Sequence, residues 1–351
     1  MKRPADYTSA RCGRSASPDS LRRRLLQFVA LAPVSSLLQA QPATSAIAVR
    51  KLHTFGLRVS DVERSVAFYQ RLFGMPVQAR QGETVCLRIG DGPRFMSLSP
   101  TARGESPGIS HIGLSVQGFD AQSVAAQLQA KGFQRDASAA GKSGLERAMR
   151  FWPLNEQVLA FADREGLGFQ LCAPAYCGSE NGQCSAIAAP EAGLIALEDI
   201  NHFTNYMSHA PNTNAFYLDL FGLAYQSYQG PSSPTVGVGD GKQFLMFVGG
   251  ARDGAPANPA RIDHVSLAMK DFNVAAVQAK LESIGITPRG SDGNTPALVH
   301  WISLRMPNRG GAEGGTPELY FSDPDGLHIQ LQDVSYCGGG GYLGDECAPL
   351  A

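Results

Sequence analysis

Hydrophobic positions along the chain follow two periods. In "DHVSLAM", Val265, Leu267 and Met269 alternate with His264, Ser266 and Ala268. This two-residue repeat turns one set of side chains to a core and the other to the opposite face of a sheet. "HIGLSV" repeats the alternation, with His111, Gly113 and Ser115 on the second face. Between such stretches the period lengthens. Val62, Val66, Tyr69 and Phe73 mark one helical face, and Val274, Val277, Leu281 and Ile284 mark another. Gly74, Gly132, Gly222 and Gly285 stand where these helices should end. "GDG" at Gly90 and again at Gly239 predicts hairpin turns between short returning strands. The second lies in "GVGDGK". A phosphate loop is rejected there, because no Ser or Thr follows Lys242 and no helix pattern follows.

The pattern repeats. "FYQRLFGM" from Phe68 returns as "FYLDLFGL" from Phe216. "ISHIGLSVQGFDAQSVAAQLQAKGF" from Ile109 returns without a gap as "IDHVSLAMKDFNVAAVQAKLESIGI" from Ile262, so His111 falls on His264 and Gly132 on Gly285. The expected organisation is α+β, with four β-α-β-β-β units in two similar halves, 49–173 and 195–334. A Cys-containing linker, 174–194, joins them, and a tail, 335–351, follows.

Composition narrows the class. The chain has 351 residues, 43% hydrophobic, which suffices for two ordinary cores. Its formal charge is −1, with no basic stripe, so nucleic-acid binding is not expected. Stable membrane insertion is not expected either. Residues 1–48 read as a leader: Arg22-Arg23-Arg24-Leu25-Leu26 precedes a short apolar run to Leu38, then small residues at Ala40, Ala43, Ala46 and Ala48. The layout resembles a twin-arginine export signal, which implies a periplasmic or secreted protein. Cleavage after Ala40, Ala43 or Ala48 fits equally.

The cysteines agree with export. "YCGSENGQC" and "YCGGGGYLGDEC" each follow the last strand of a half and read as short clips, Cys177–Cys184 and Cys337–Cys347. A metal cluster is the weaker alternative, since neither segment has paired CxxC spacing, and cross-pairing between the two segments stays open.

Three of the four units carry a histidine on the first strand, on the face away from the helix: His111, His202 and His264. A single such histidine reads as a satisfied buried group; recurrence among only seven histidines points to an inherited metal site. The first unit places Thr54 there, and His53, one residue off, reads as structural.

With these repeats the chain resembles the vicinal oxygen chelate superfamily of glyoxalase I, bleomycin-resistance proteins and extradiol dioxygenases. The resemblance implies two tandem domains with cup-shaped sheets. It covers nearly all of 49–334, and the stretch Leu319-Tyr320-Phe321-Ser322-Asp323-Pro324-Asp325-Gly326 ending at Gln330 follows the extradiol motif. It implies metal ligands at His202, His264 and Gln330, with Tyr320 at a substrate-contacting position. The motif's terminal Glu is Gln330 here, and Gln170 repeats the replacement in the first half. Two neutral imidazoles and an amide leave the ion its full charge, which favours an anionic ligand. His328, two residues before Gln330, is a candidate ligand or donor to one, and Tyr320 and His328 are the candidate catalytic residues.

Other motif residues are missing. Glu313 stands near an expected histidine, and Gln243 near the expected acid–base histidine. His300 and His209 are spare candidates, each read first as a strand-edge or surface residue. With Thr54, His111 and Gln170, the first half reads as structural or ligand-shaping. The leading expectation is an exported, metal-dependent, extradiol-dioxygenase-like enzyme for a small catecholic or enolisable molecule, using Fe(II), with Mn(II) or Zn(II) as alternatives. The others are a non-catalytic binding or resistance protein of this fold and a glyoxalase-type lyase. Either a monomer or a homo-oligomer fits.

Overall fold

The computed structural model describes residues 46–137, 149–230, 233–239, 241–250 and 259–347. The basic and apolar leader, with its arginine run and Cys12, lies outside the described residues.

The fold is α+β and consists of four βαβββ units. The first contains β1 (Val49–Val59), α1 (Val62–Phe73), β2 (Val77–Gln81), β3 (Thr84–Arg88) and β4 (Phe95–Pro100). The second contains β5 (Gly108–Val116), α2 (Ala121–Ala130), the short β6 (Gln134–Arg135), β7 (Arg150–Asn155), β8 (Val158–Ala162) and β9 (Gly168–Cys172). The third contains β10 (Leu197–Tyr206), α3 (Ala210–Phe221), β11 (Tyr225–Tyr228), β12 (Pro234–Gly237) and β13 (Phe244–Val248). The fourth contains β14 (Arg261–Met269), α4 (Val274–Glu282), the short β15 (Thr287–Pro288), β16 (Val299–Arg305), β17 (Thr316–Ser322) and β18 (His328–Asp333).

Within each unit the helix is a crossover, so the first and last strands pair in parallel: β1–β4, β5–β9, β10–β13 and β14–β18. The remaining strands close as antiparallel hairpins. Units then pair through their first strands, β1 with β5 and β10 with β14, antiparallel. Between the halves, among the described residues, strand pairing is limited to Ile109 with Ile262.

Helix ends follow local chemistry. Asp61, Asp120 and Asn273 cap the starts of α1, α2 and α4 through their side chains. His209 does the same for α3, its Nδ1 accepting from the Asn212 N–H at 3.2 Å, so this spare histidine is a helix cap. The two "GDG" turns join β3 to β4 and β12 to β13, as expected of hairpins. Gly90 and Gly239 hold positive φ, and a Cβ there would meet the Glu198 and Arg50 carbonyl oxygens of the opposite half. Glycine is required on both counts.

The helices α1 and α3 pack on their own sheets and also reach the other half. Phe68 and Phe73 of α1 pack on Phe321 of β17. Tyr217 of α3 packs on Phe169 of β9, and Phe221 on Phe161 of β8. Each cross-half contact is locked by a phenol: Tyr69 donates to Asp323 at 3.0 Å, and Tyr217 donates to Asp163 at 2.8 Å. The second oxygen of each carboxylate accepts two turn amides, those of Asp325 and Leu327 or of Glu165 and Leu167. A further pair has the Ser60 amide donating to Asp325 and the Ser208 amide to Glu165.

Both cysteine clips form as expected, Cys177–Cys184 and Cys337–Cys347, while Cys86 and Cys172 are buried free thiols. Among the described residues no helix is long and apolar enough to cross a membrane.

Burial pushes the Asp323 carboxyl up to about 6, its hydrogen bonds only partly opposing this. A raised carboxyl pKa contributes stability below the unfolded value, about 3.9, that is lost as pH rises through the folded one. The urea midpoint of the wild type relative to Asp323→Asn should therefore fall between about pH 4 and pH 6 and stay level above. A difference independent of pH would contradict this burial.

Candidate metal centre

One cross-strand row runs through the second half: Phe244, His202, Ser266, Gln330, Tyr320 and Trp301, on β13, β10, β14, β18, β17 and β16. All face away from the helices, because Phe203, Val265, Ile329 and Phe321 in between are in the apolar core. His264 stands one step along β14, directly beside His328 of β18. The register thus brings His202, His264, Gln330, Tyr320 and His328 to one face. The ring centroids of His202 and His264 lie 5.7 Å apart. Those of His264 and Tyr320 lie 5.2 Å apart, edge to face. Trp301 stacks on Tyr320 at 5.3 Å and meets the edge of His328 at 5.1 Å.

Each imidazole is held from behind. His202 Nδ1 pairs with Asn201 Oδ1 at 2.7 Å, and His264 Nδ1 with Asp263 Oδ2 at 3.0 Å. Both Nε2 atoms are left for the site. Burial holds His202 well below the usual imidazole range, with His264 and Arg305 adding to the effect, so it stays neutral. Burial also lowers His328, and Arg289 and Arg261 reinforce this against the pull of Asp263. For Asp263 burial alone would raise the carboxyl, but its hydrogen bond and attraction to His264 outweigh that and lower it.

Gln330 is the informative residue. It is 1% exposed, and neither amide atom completes a hydrogen bond, although the side chain lies close enough to His202 to favour its charged form. Ser266 Oγ, its neighbour in the row, also has no partner. Buried polar atoms without partners are rare. An imidazole bound at about 2.1 Å through Nε2 has its centroid roughly 3.2 Å from the ion, so a 5.7 Å separation suits two rings sharing one cation. Among the described residues no group of three or more His, Cys, Asp or Glu is placed to hold a metal. The set that converges is two imidazoles and a carboxamide.

Behind the row lies a charged cluster that sequence reading missed. Arg305, fully buried, donates from Nε to Glu318 Oε1 at 3.0 Å. Tyr336 donates to the same oxygen at 3.0 Å, and Tyr320 approaches Oε2 at 3.4 Å. Tyr336 belongs to the clipped tail and stacks on His202 at 5.5 Å, so the tail forms a wall of the site. The alternation of β17 does place Glu318 on the face of Tyr320, but nothing local marks Arg305 or Tyr336 as its partners.

The first half has the same row in altered form: Phe95, Thr54, Gly113, Gln170, Ala160 and Trp152. Its cup is filled by Cys86, Phe95, Val158, Cys172 and Tyr176. A β-bulge between Leu52 and Thr54 takes His53 out of the ladder, and its Nε2 donates to the Tyr176 carbonyl at 2.5 Å. Asn201 makes the matching bond to the Tyr336 carbonyl at 2.8 Å. His111 is held near 4, first by burial and then by Arg58.

Other candidates fall elsewhere. Gln243 bridges the two halves, accepting from the Leu52 amide and donating to the Ile200 carbonyl, so it does not occupy an acid–base position. His300 faces α4 and pairs with Glu282 at 3.2 Å. Glu313 is exposed in its loop. An open depression lined by Arg50, Phe221, Tyr225, Gln226 and Cys347 shares no residue with the row.

Residues 51–171 match the family model of the Glyoxalase/Bleomycin resistance protein/Dioxygenase superfamily. The match places a domain of this superfamily in the first half of the chain. The family match falls on the half whose cup is filled. Solved structures extend the likeness across both halves. A variant of homoprotocatechuate 2,3-dioxygenase from B. fuscum is 17% identical, with a TM-score of 0.57, covering 83% of this chain and 74% of that one. A room-temperature structure of an extradiol ring-cleaving dioxygenase from B. fuscum is also 17% identical, with a TM-score of 0.57 and coverages of 88% and 76%. The Brevibacterium fuscum enzyme in complex with 3,4-dihydroxyphenylacetate is 16% identical, with a TM-score of 0.56 and 83% coverage of each chain. At these identities the likeness is one of fold. No curated protein matches the chain in sequence.

Removing the Glu318 carboxylate would leave Arg305 buried and unpaired. Glu318→Ala should cost about 3–5 kcal/mol of unfolding free energy, read from urea denaturation. A loss below about 1 kcal/mol, the range of exposed ion pairs, would contradict this environment.

Proposed function

We propose that the second half holds a divalent cation through His202, His264 and Gln330, and that the protein is an exported, extradiol-dioxygenase-like enzyme. Its substrate is a small oxygen-rich molecule, catecholic or enolisable. The single observation that carries this reading is Gln330: a buried carboxamide with two unpartnered atoms, beside two imidazoles whose Nδ1 atoms are already engaged. The donor set suits Fe(II), and also Mn(II) or Zn(II). When bound, the ion supplies Lewis-acid polarisation of substrate oxygens.

The chain's own groups supply the rest. Neutral His202 presents a lone pair instead of a proton. Burial, with Glu318 next, raises the Tyr320 phenol well above its usual range, so it stays protonated, its O–H directed at Glu318 and its oxygen free to accept from substrate. Trp301 and Tyr320 offer a flat apolar wall, and His328 supplies a ring edge at its border. The arrangement of two disulfides suits an oxidising compartment and supports the export reading of the leader.

A second reading, a binding protein of the same fold without turnover, is favoured by the amide at Gln330 and by the structural use of Gln243. Elemental analysis of protein purified from the periplasm separates the two. The first reading expects close to one transition-metal ion per chain, lost in the His202→Ala/His264→Ala double variant. Gln330→Glu should tighten metal binding on the order of tenfold, about 1.4 kcal/mol. Metal-free wild type that still binds a small ligand would establish the second reading.

A further inference from the structure

Every carboxylate has been removed from direct contact with the proposed ion, yet one stands immediately behind it. Asp263 Oδ2 accepts from His264 Nδ1 at 3.0 Å. The corresponding positions are neutral elsewhere: Asn201 backs His202 at 2.7 Å, and Ser110 backs His111 at 3.1 Å in the half whose cup is filled. The residue before the first-strand histidine therefore carries charge only in the fourth unit, whose last strand bears Gln330. We propose that Asp263 is a positioning residue for the cation, and that its charge, transmitted through the His264 ring, offsets the charge lost where Gln330 replaces a carboxylate.

The physical case has three parts. A carboxylate on the far nitrogen fixes the tautomer that leaves Nε2 free, sets the ring plane and makes Nε2 a stronger donor. Asn201 can do the first two for His202 but contributes no charge. The site is also short of anions: Glu318, the other nearby carboxylate, is already committed to Arg305 and Tyr336. Finally, the ring of His264 is 9% exposed at its side chain, so a charge one ring away is poorly screened. Arg261, 3.6 Å from the other Asp263 oxygen, is half-exposed and holds the carboxylate from the solvent side. His328 and Arg289 also face this region, and neither brings negative charge.

The inference rests on the metal reading above, and the test separates the two. Apo full-length protein is titrated with Co(II) alone, followed by visible absorption and by competition with a chelator. Wild type should bind, and Asp263→Asn should bind about 10- to 100-fold more weakly, with the apo melting temperature unchanged. Arg261→Ala should leave affinity within about threefold, because the ring contact remains. In a Gln330→Glu background the loss from Asp263→Asn should shrink, since a carboxylate in direct contact supplies the missing charge. Equal losses in the two backgrounds, or Asp263→Asn binding within threefold of wild type, overturn the proposal alone. Wild type that takes up no cobalt overturns the metal reading and this proposal with it.

Discussion

Two buried phenol–carboxylate hydrogen bonds organise the molecule. Tyr69 reaches from the first unit to Asp323 in the fourth, and Tyr217 from the third to Asp163 in the second. A carboxylate withdrawn from water needs several donors. Each aspartate finds one in a helix from the other half and two in its own turn. That turn leads straight into the strand bearing Gln330 or Gln170. The contact joining the halves is thus also the one that sets where the carboxamide begins its strand. Aromatic contacts from α1 and α3 to the opposite half join one continuous apolar core across both halves.

Duplication left two rows with one geometry and different contents. In the second half His202, Ser266 and Tyr320 keep the face polar, and a clipped tail adds Tyr336. In the first, Thr54, Gly113 and Ala160 occupy the matching places, and the tail's Tyr176 packs with Cys86, Phe95, Val158 and Cys172. A Cβ on Gly113 would sit 2.0 Å from Thr54 Cγ2, so the row has closed on itself. The family model matches this closed half. The clips serve both halves alike, since each fixes a tail whose carbonyl, at Tyr176 or Tyr336, is bound by the bulged residue of a first strand.

Much of the architecture was legible in the chain itself. The two-residue alternation of "DHVSLAM", the helical spacing of Val62, Val66, Tyr69 and Phe73, and the "GDG" turns are local signals, and the gapless repeat from Ile109 to Ile262 multiplied them. Placement of His202, His264 and Gln330 on one face followed from strand parity, because a side chain's face is set by its own strand. The short disulfides were readable for a related reason: closing a loop of seven or ten residues needs no knowledge of distant chain. His53, read as structural, is so: a bulge takes it out of the ladder and it binds the Tyr176 carbonyl. Where the spare residues point was not legible: Gln243 faces the half interface, His300 faces α4 and His209 caps a helix start.

The sequence by itself determined which residues are strands, which are helices and which side of each strand carries the histidines, because those properties depend on neighbours a few positions away. Tertiary structure alone decided that α1 and α3 also touch the opposite halves, that Arg305, Glu318 and Tyr336 form one buried cluster, and that Gln330 sits beside His202 with neither amide atom completing a hydrogen bond. Those outcomes depend on distances between segments far apart in the chain, and on the cost of burying a charge or an amide, which only the packed molecule sets.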